Sequence, residues 1–341
     1  MTTNSNFPLA QTVSFTGQQN KSGDKRELFE ELFAGEVIKT FKKKNIMMDK
    51  HKVKTIKGGR SWSFPLVGTT GAKYHVPGHE IQADSIAHAK RTVTIDELLI
   101  SPVFIDNLDE AMNHYDVRAT YSSECAHALA NAADQNILRM ACKAAAITNE
   151  EQCVAAGLTP VEGETFTNNI TFAKAGDEKV GSKIFNALMQ AAEERALKDV
   201  TEEAYCIMNP TTYYALFNDT DISKLIHINR DVGGEGSVAK GHVAELAGFK
   251  LYMSNNLPNT NETAGLVGTP ESRVRPDAYR GDYSKVAAIV MSPSAVCTVK
   301  LFDLQTDSEK QVSRRGWFFV AEYAMGHNIL RPACAMTILK K

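Results

Sequence analysis

Long apolar runs are missing from this sequence of 341 residues. No stretch reaches the roughly 18 apolar residues that a membrane-spanning helix needs, which argues against an integral membrane protein. The N-terminal MTTNSNFPLAQTVSF also lacks the charged start and apolar core of a signal peptide, so we expect synthesis in the cytoplasm. A formal net charge of −2 provides no basic excess that would draw the whole chain to nucleic acid.

Paired cysteines are missing too. The six cysteines form no CxxC motif and have mostly apolar neighbours: Cys125, Cys142, Cys153, Cys206, Cys297 and Cys334. This spacing is unlike a zinc site or a disulfide framework, so we expect all six to be reduced and buried as small hydrophobic side chains. With 43% hydrophobic residues, the chain can bury the core of one large domain or two modest ones.

A complete nucleotide-binding motif is also absent. GSVAKG at residues 236–241 begins like a phosphate-binding loop, but His242 and Val243 occupy the positions of the required Lys and Ser or Thr. GEG at residues 234–236 resembles part of a dinucleotide fingerprint, yet no convincing strand precedes it. A plain flexible loop is the better interpretation. A cytosolic α/β transferase or hydrolase that uses residues 233–241 is the alternative enzyme hypothesis.

The histidines give no stronger signal of chemistry. His75 and His79 are four residues apart, but Pro77 and Gly78 prevent the helix that would align them as metal ligands. No G-x-S-x-G elbow is present, and no cysteine has an obvious histidine partner. We therefore expect no catalytic residue, no cofactor and no metal, and we predict that the chain is not an enzyme.

The longest helical signal covers residues 116–146, which contain neither Pro nor Gly. Apolar and small side chains recur there at three- and four-residue steps, the period of one helical face. Asp116 is placed to be the N-cap, because its carboxylate can accept hydrogen bonds from the N–H groups of the first turn. A central helix of an ordinary globular enzyme would give the same pattern.

The N-terminal region divides into a polar tail and an amphipathic helix. Residues 1–24 are rich in Thr, Asn, Gln and Ser, and are typical of an arm that does not fold by itself. Residues 25–43 predict a helix that carries Leu28, Phe29, Leu32 and Phe33 on one side. These four side chains need a surface to cover them. Either a partner molecule or the chain's own core could provide that surface.

Residues 51–94 change to a β pattern. KVKTIK alternates, a Gly-Gly pair permits a turn, and SWSFPLV alternates again, which predicts a long hairpin. Its flanks carry basic residues: Lys52, Lys54, Lys57, Arg60, Lys73, Lys90 and Arg91. Because a two-stranded ribbon is marginal in water without support, we expect a neighbour to supply the missing face. Arg60, Trp62 and Phe64 are the candidates for contact with that neighbour, where the basic flank would meet acidic groups.

The remaining chain predicts mixed helices and strands. One strand is expected at residues 92–100, leading to the central helix. Helices are predicted at residues 183–197 and 210–217 around a buried strand at 205–208, an order typical of an α/β subdomain. Further strands are predicted at residues 249–253, 295–304, 317–323 and 335–339, and residues 287–290 are apolar. The fold class is therefore α+β.

Several motifs closely resemble one known family. DEAMNHYDVR at residues 109–118, SAVCTVKL at 294–301, and AEYAMGH at 321–327 followed by LRP are similar to the major capsid proteins of short-tailed, T-seven-like bacteriophages. LFAGEV at residues 32–37 and RTVTID at 91–96 add weaker matches in the same order. The resemblance is good over roughly residues 24–148 and 287–338 and thin between them.

The resemblance implies the Hong Kong 97 capsid fold. Its parts would be an N-terminal arm, an extended β-hairpin loop, a peripheral domain with a long spine helix, and an axial α/β domain. We expect the arm at residues 1–50, the extended loop at 51–92, the peripheral domain at 93–150 and 285–341, a connecting loop at 151–179, and the axial domain at 180–284. Some members of this fold crosslink by a Lys–Asn isopeptide bond; we place no catalytic carboxylate for it here and predict no crosslink.

The resemblance also implies a function. The chain would assemble into the pentamers and hexamers of an icosahedral virion shell around packaged double-stranded DNA, held without sequence specificity. A scaffolding protein in the precursor, touched by the arm helix, and a portal protein at one vertex would be its partners, with no membrane involved. A bacterial encapsulating compartment of the same fold, filled with cargo protein, is the alternative.

Overall fold

The computed structural model describes residues 37, 46–81, 83, 85–106, 117–160, 164–218, 245–263 and 277–341. Except for Val37, which is helical and buried, the predicted arm helix lies outside these residues, as do the Asp116 cap and the loop at residues 233–241. The chain divides into two compact units. Of the described residues, the first unit contains Val37, Ile46 and those in Glu97–Ala133 and Phe302–Ala324, and the second contains those in Met47–Asp96, Asp134–Leu301 and Met325–Lys341.

The described residues form mixed helices and strands, as the fold class predicts. The helices are α1 (Val117–Ala145), α2 (Glu150–Ala155), α3 (Gly181–Leu197) and α4 (Pro210–Asn218). The strands are β1 (Lys52–Thr55), β2 (Ser61–Val67), β3 (His88–Thr94), β4 (Leu99–Asp106), β5 (Ile170–Thr171), β6 (Ala204–Met208), β7 (Glu245–Leu246), β8 (Phe249–Met253), β9 (Val286–Met291), β10 (Val296–Gln311), β11 (Gly316–Ile329) and β12 (Ala335–Leu339). None of these helices combines the length and apolar character needed to cross a membrane.

In the first unit, β4 pairs antiparallel with β11, with Gly316 opposite Asp106 and Tyr323 opposite Leu99. The part of α1 up to Ala133 belongs to this unit, and the Tyr323 hydroxyl donates to the Leu129 carbonyl oxygen of the helix at 3.4 Å. A residue larger than glycine cannot replace Gly316, because its Cβ would lie 2.5 Å from the Ile105 carbonyl oxygen. The strand pair therefore depends on a close backbone approach at this end.

The second unit is built on a six-stranded sheet with the order β5-β12-β9-β6-β8-β7. β6 pairs parallel with β8 and antiparallel with β9, and β12 pairs antiparallel with β9. α3 and α4 cover one face and form a core with the strands, which includes Ile184, Leu188, Leu216, Cys206, Met208 and Val290. A domain boundary between residues 284 and 285 would cut this sheet, because β9 and β12 hydrogen-bond into the same layer as β6 and β8.

The second half of α1 holds the segment that follows β8. Gln135, Arg139 and Lys143 stand one helical turn apart, and each contacts a different residue beyond β8. The Gln135 amide donates to Asn256, the Arg139 guanidinium pairs with Glu262 at 2.8 Å, and the Lys143 ammonium donates to the Ala278 carbonyl oxygen at 2.6 Å. Arg139 is 3% exposed, so the paired carboxylate is needed to offset its desolvation.

Two predictions about the β pattern are wrong. β1 does not fold back on β2 through the Gly-Gly pair; it pairs parallel with β10, from Lys52 opposite Cys297 to Thr55 opposite Lys300. The alternation of KVKTIK describes a strand but carries no information about its partner. The single strand expected at residues 92–100 is also two strands, since β3 ends at Thr94 and β4 begins at Leu99.

His51, Thr298 and His327 form a buried chain of hydrogen bonds in the second unit. His51 Nδ1 lies 2.8 Å from the Met47 carbonyl oxygen, which can only accept, so Nδ1 carries the proton. His51 Nε2 therefore accepts from the Thr298 hydroxyl at 2.6 Å, and the same hydroxyl accepts from His327 Nδ1 at 2.7 Å. Burial lowers the pKa of His51 to about 4 and that of His327 to about 3, so both rings are neutral at pH 7.

The six cysteines are free and buried, which confirms the prediction made for them. Burial raises the pKa of the thiols of Cys142 and Cys297 to about 12 and that of Cys334 to about 11. It also raises the pKa of the Cys206 thiol. All four thiols are therefore protonated at neutral pH.

Candidate inter-subunit surface

The predicted hairpin exists, but its two strands are β2 and β3. They pair antiparallel from Ser61 opposite Thr94 to Val67 opposite His88. The pairing extends by one hydrogen bond at each end, from the Ile95 N–H to the Arg60 carbonyl oxygen at 2.9 Å and from the Gly68 N–H to the Ala87 carbonyl oxygen at 2.8 Å. The connection at residues 68–87 contains no helix or strand among its described residues.

One face of the hairpin packs on the chain's own core. Trp62, Phe64 and Leu66 lie on this face because side chains alternate along a strand. Leu66 is buried in a cluster with Ala89 and Val93 of β3, Ile56, Cys297, Val299 and Leu330, and Phe64 packs against the same cluster. The base of the hairpin is therefore an integrated part of the second unit rather than a free ribbon.

Arg91 of β3 fixes this base. Its side chain is 1% exposed, and its guanidinium donates to both carboxylate oxygens of Glu164 at 3.0 and 3.1 Å. It also donates to the carbonyl oxygens of Thr159 and Leu330, so that one side chain joins three segments. The prediction that the basic flank faces another subunit is wrong for Arg91, because its acidic partner belongs to the same chain.

The connection at residues 68–87 presents apolar side chains to solvent. Tyr74 is fully exposed, and Val76 and Ile81 are 60% and 78% exposed. Loops longer than ~15 residues without secondary structure are uncommon in compact domains and are usually functional. The large apolar side chains exposed in this one segment make it the candidate surface for contact with another molecule. We name the described residues of 68–87 the hairpin tip.

The structure separates the residues that the sequence nominated. Arg60 and Trp62 are exposed; Trp62 retains 42% exposure and lies under the Lys54 ammonium, 5.4 Å from the ring centroid. Phe64 is partly covered by the chain's own cluster, which leaves less of it for a neighbour. Leu28, Phe29, Leu32 and Phe33 lie outside the described residues.

Sequence reasoning missed the hairpin tip. In the tip, Tyr74 and Val76 alternate with Lys73 and His75 in the same way as the residues of a strand, but Gly71, Pro77 and Gly78 interrupt the pattern, and the contact residues were sought in the strands instead. The sequence did contain a signal for the tip, because large apolar residues are present in a segment whose glycines and proline prevent regular structure.

The described residues offer no arrangement for metal chemistry. In that part of the chain, no three His, Cys, Asp or Glu side chains lie together in a way that could hold a metal ion. His75 and His79 are both exposed in the hairpin tip. The exposed apolar side chains there suit contact with protein rather than coordination of an ion.

Comparison with solved structures gives the fold. The capsid of Cyanophage P-SCSP1u aligns with a TM-score of 0.71 and 34% identity over 87% of this chain and 88% of that chain. The mature capsid of bacteriophage PhiM1 aligns with a TM-score of 0.65 over 87% of both chains, and its 17% identity supports the fold alone. The chain thus has the Hong Kong 97-type phage capsid fold.

Comparison of sequences gives the family. The model of the Gp10A-like major capsid proteins matches residues 63–339. The major capsid protein of Escherichia phage T7 is 30% identical over 94% of this chain and 94% of that protein. The chain belongs to the Gp10A-like major capsid protein family, which is a family of structural proteins and not of enzymes. This membership confirms the resemblance recognised in the sequence.

Proposed function

We propose that this chain builds the icosahedral head shell of a tailed bacteriophage from pentamers and hexamers of itself. Membership of the Gp10A-like family and the phage capsid fold support a shell subunit of the virion. Both favour a phage head over a bacterial encapsulating compartment. The observation that carries the proposal is the hairpin tip, whose large apolar side chains are exposed in the single chain and need a second copy to cover them.

The geometry supports a division of labour within the subunit. The tip extends from a base that Arg91 and the core cluster hold rigidly, so that its direction is fixed before assembly. Each apolar side chain buried by a neighbour stabilises the contact by about 1.5–3 kcal/mol. Because every subunit of a shell touches several others, weak contacts of this kind add up to a stable assembly.

We assign the family's domain roles to the observed elements. α1 with β4 and β11 forms the peripheral domain and its spine helix, and the six-stranded sheet with α3 and α4 forms the axial domain. The extended loop is the hairpin β2–β3 with its tip. These roles follow the fold order rather than the boundaries drawn from the sequence, because β9 and β12 belong to the axial sheet.

The wider set of partners belongs to the same proposal. Double-stranded DNA would fill the shell without sequence-specific contacts, a scaffolding protein would occupy the precursor, and a portal protein would replace subunits at one vertex. Synthesis and assembly would take place in the host cytoplasm. The net charge of −2 agrees with a shell that encloses DNA without binding it tightly.

The hairpin tip is tested by the double substitution Tyr74→Ser and Ile81→Ser. We expect the variant to fold as the parent does, because both side chains are exposed in the single chain, and to form few or no shells when co-expressed with a scaffolding protein. Negative-stain electron microscopy and sedimentation measure shell yield, and thermal unfolding measures folding. Val154→Ser on α2 is the matched control, since Val154 is as exposed as Val76, at 60%, but belongs to a helix and not to the tip. Normal shells from the tip variant would contradict the proposal.

The predicted arm is tested separately. Replacing Leu28, Phe29, Leu32 and Phe33 by Ser is expected to leave a soluble, folded chain and to abolish co-purification with the scaffolding protein. Pull-down with tagged scaffold provides the measurement. Loss of soluble protein would instead show that these side chains pack on the chain's own core, the second option that the sequence leaves open.

A further inference from the structure

The backbone of β2 has an inner edge, which faces β3, and an outer edge, which faces away from it. Each residue of β2 can be assigned to one of the two edges. In an antiparallel pair, residues that exchange hydrogen bonds alternate with residues whose N–H and C=O groups point to the opposite side. Arg60 and Gly68 both bond to their partners across the pair, and the register is unbroken between them. The even-numbered residues of β2 therefore bond to β3. The odd-numbered ones, Ser61, Ser63, Pro65 and Val67, direct their backbone groups outward.

The outer edge of β2 is open in the part of the chain that the structure describes. β2 and β3 form a two-stranded sheet, so no third strand joins β2 on its outer side. Ser61, Ser63, Pro65 and Val67 are all exposed. The outer edge of β3 differs, because its Thr92 carbonyl oxygen accepts from the Asn328 side chain at 2.7 Å. An open edge of this kind is a template for strand addition by another chain.

Pro65 stands at the centre of that open edge. Proline lacks an N–H. Because Pro65 is one of the odd-numbered residues, that N–H would have pointed outward, so its absence costs no hydrogen bond between β2 and β3. Proline in a strand is tolerated at such a position, where it costs no ladder bond. A strand added along the outer edge would lose a hydrogen bond at its middle and would meet the pyrrolidine ring.

We infer that Pro65 closes the outer edge of β2 to strand addition by a second copy of this chain. The copies of a shell then meet the hairpin through its side chains, and the ribbon cannot recruit further ribbons edge to edge. This inference rests on the proposed function for the identity of the partner. The need is greatest in a shell protein, because assembly brings many identical open edges together at high local concentration.

The test restores the missing donor. Pro65→Thr introduces an outward N–H together with a β-branched side chain, and Pro65→Ala introduces the N–H alone. In Ser63→Pro with Pro65→Thr the donor is removed again two residues away, on the same edge, so the ladder with β3 is untouched. Hydrogen exchange of the peptide covering residues 61–67, followed by mass spectrometry over a range of protein concentrations, reports strand addition directly. Thioflavin T fluorescence reports any extended sheet.

We expect both single variants to gain protection with rising concentration and to lose monomer to thioflavin-positive species. In the parent and the double variant, the protection of residues 61–67 should be limited to the ladder with β3 and should not change with protein concentration. Single variants that behave like the parent would overturn the inference, and so would protected outward amides in shells of the parent. Shell formation is scored independently by electron microscopy. A parent that never forms shells would therefore count against the proposed function, while the comparison of variants would still decide the role of Pro65.

Discussion

Lowering the pH from 7 to 4 is expected to remove roughly 3 kcal/mol of stability through His327 alone, with a smaller loss through His51. In the unfolded chain an imidazole titrates near 6.5, whereas burial holds the pKa of His327 at about 3 and that of His51 at about 4. At pH values between the folded and the unfolded pKa, the unfolded chain binds more protons than the folded chain. Stability is therefore complete above about pH 6.5 and decreases as the pH falls, until the folded-state pKa values are reached.

The surroundings of the two rings explain why protonation is unfavourable in the folded chain. His51 Nε2 accepts from the Thr298 hydroxyl, so a proton added to Nε2 would point at the hydroxyl hydrogen and repel it. The charges nearest the pair give little help, since Lys300 disfavours a second positive charge at both rings and Asp49 favours one only at His51. The Tyr279 ring lies 6.0 Å from that of His327, and its hydroxyl is already committed to Asp96.

His327→Asn isolates this effect from the general acid sensitivity of carboxylates. The asparagine amide can donate to Thr298 as Nδ1 does, but it has no proton to gain. Urea unfolding at pH 7, 6, 5 and 4 should show a steeper loss of stability in the parent than in the variant, with a difference approaching 3 kcal/mol at pH 4. Parallel curves for the two proteins would mean that His327 charges without cost in the folded state.

Arg91→Met is expected to lower the free energy of unfolding by about 3–5 kcal/mol, because it leaves the Glu164 carboxylate buried without its partner. The Glu164 side chain is only 8% exposed, so the carboxylate has little contact with water to take the place of the guanidinium. The change also removes the donors to Thr159 and Leu330. We expect faster hydrogen exchange in residues 61–94 and a marked drop in shell yield, since the hairpin base loses its anchor.

Lys90→Met is the control for Arg91→Met. Lys90 precedes Arg91 on β3 and is exposed, so the same substitution removes a positive charge without leaving a buried one. Its effect on stability should stay within about 0.5 kcal/mol. Arg91→Met combined with Glu164→Met removes both charges and should recover part of the loss. If the single Arg91 variant unfolds at the same urea concentration as the Lys90 control, the ion pair does not hold the hairpin.

The elements that the sequence predicted well are those decided by local patterns. α1 covers Val117–Ala145 against an expected 116–146, because a long stretch without Gly or Pro and with one small-residue face has few alternatives. β12 spans Ala335–Leu339 as expected, since an apolar run of this length suits a buried strand and is too short for a typical helix. In both cases the pattern of residues within the segment was enough to predict the element.

The elements that the sequence did not predict depend on distant partners. β1 alternates in the same way whether it pairs with β2 or with β10, and only the fold brings Cys297 opposite Lys52. Arg91 resembles the other basic residues of its segment until Glu164 is placed beside it. The pairing of His51 with His327 through Thr298 joins residues far apart in the chain, and no spacing rule predicts it. Charged and polar groups in a core are defined by the neighbours that satisfy them.

The protonated, enclosed cysteines make the folded chain unreactive towards thiol reagents. Only the thiolate attacks a maleimide or a disulfide reagent, and every native thiol is buried. A cysteine introduced at an exposed position such as Tyr74 would therefore be the sole fast-labelling site on the native protein, with all six natural cysteines left in place. Dyes or crosslinkers attached there can report how copies approach one another while a shell closes.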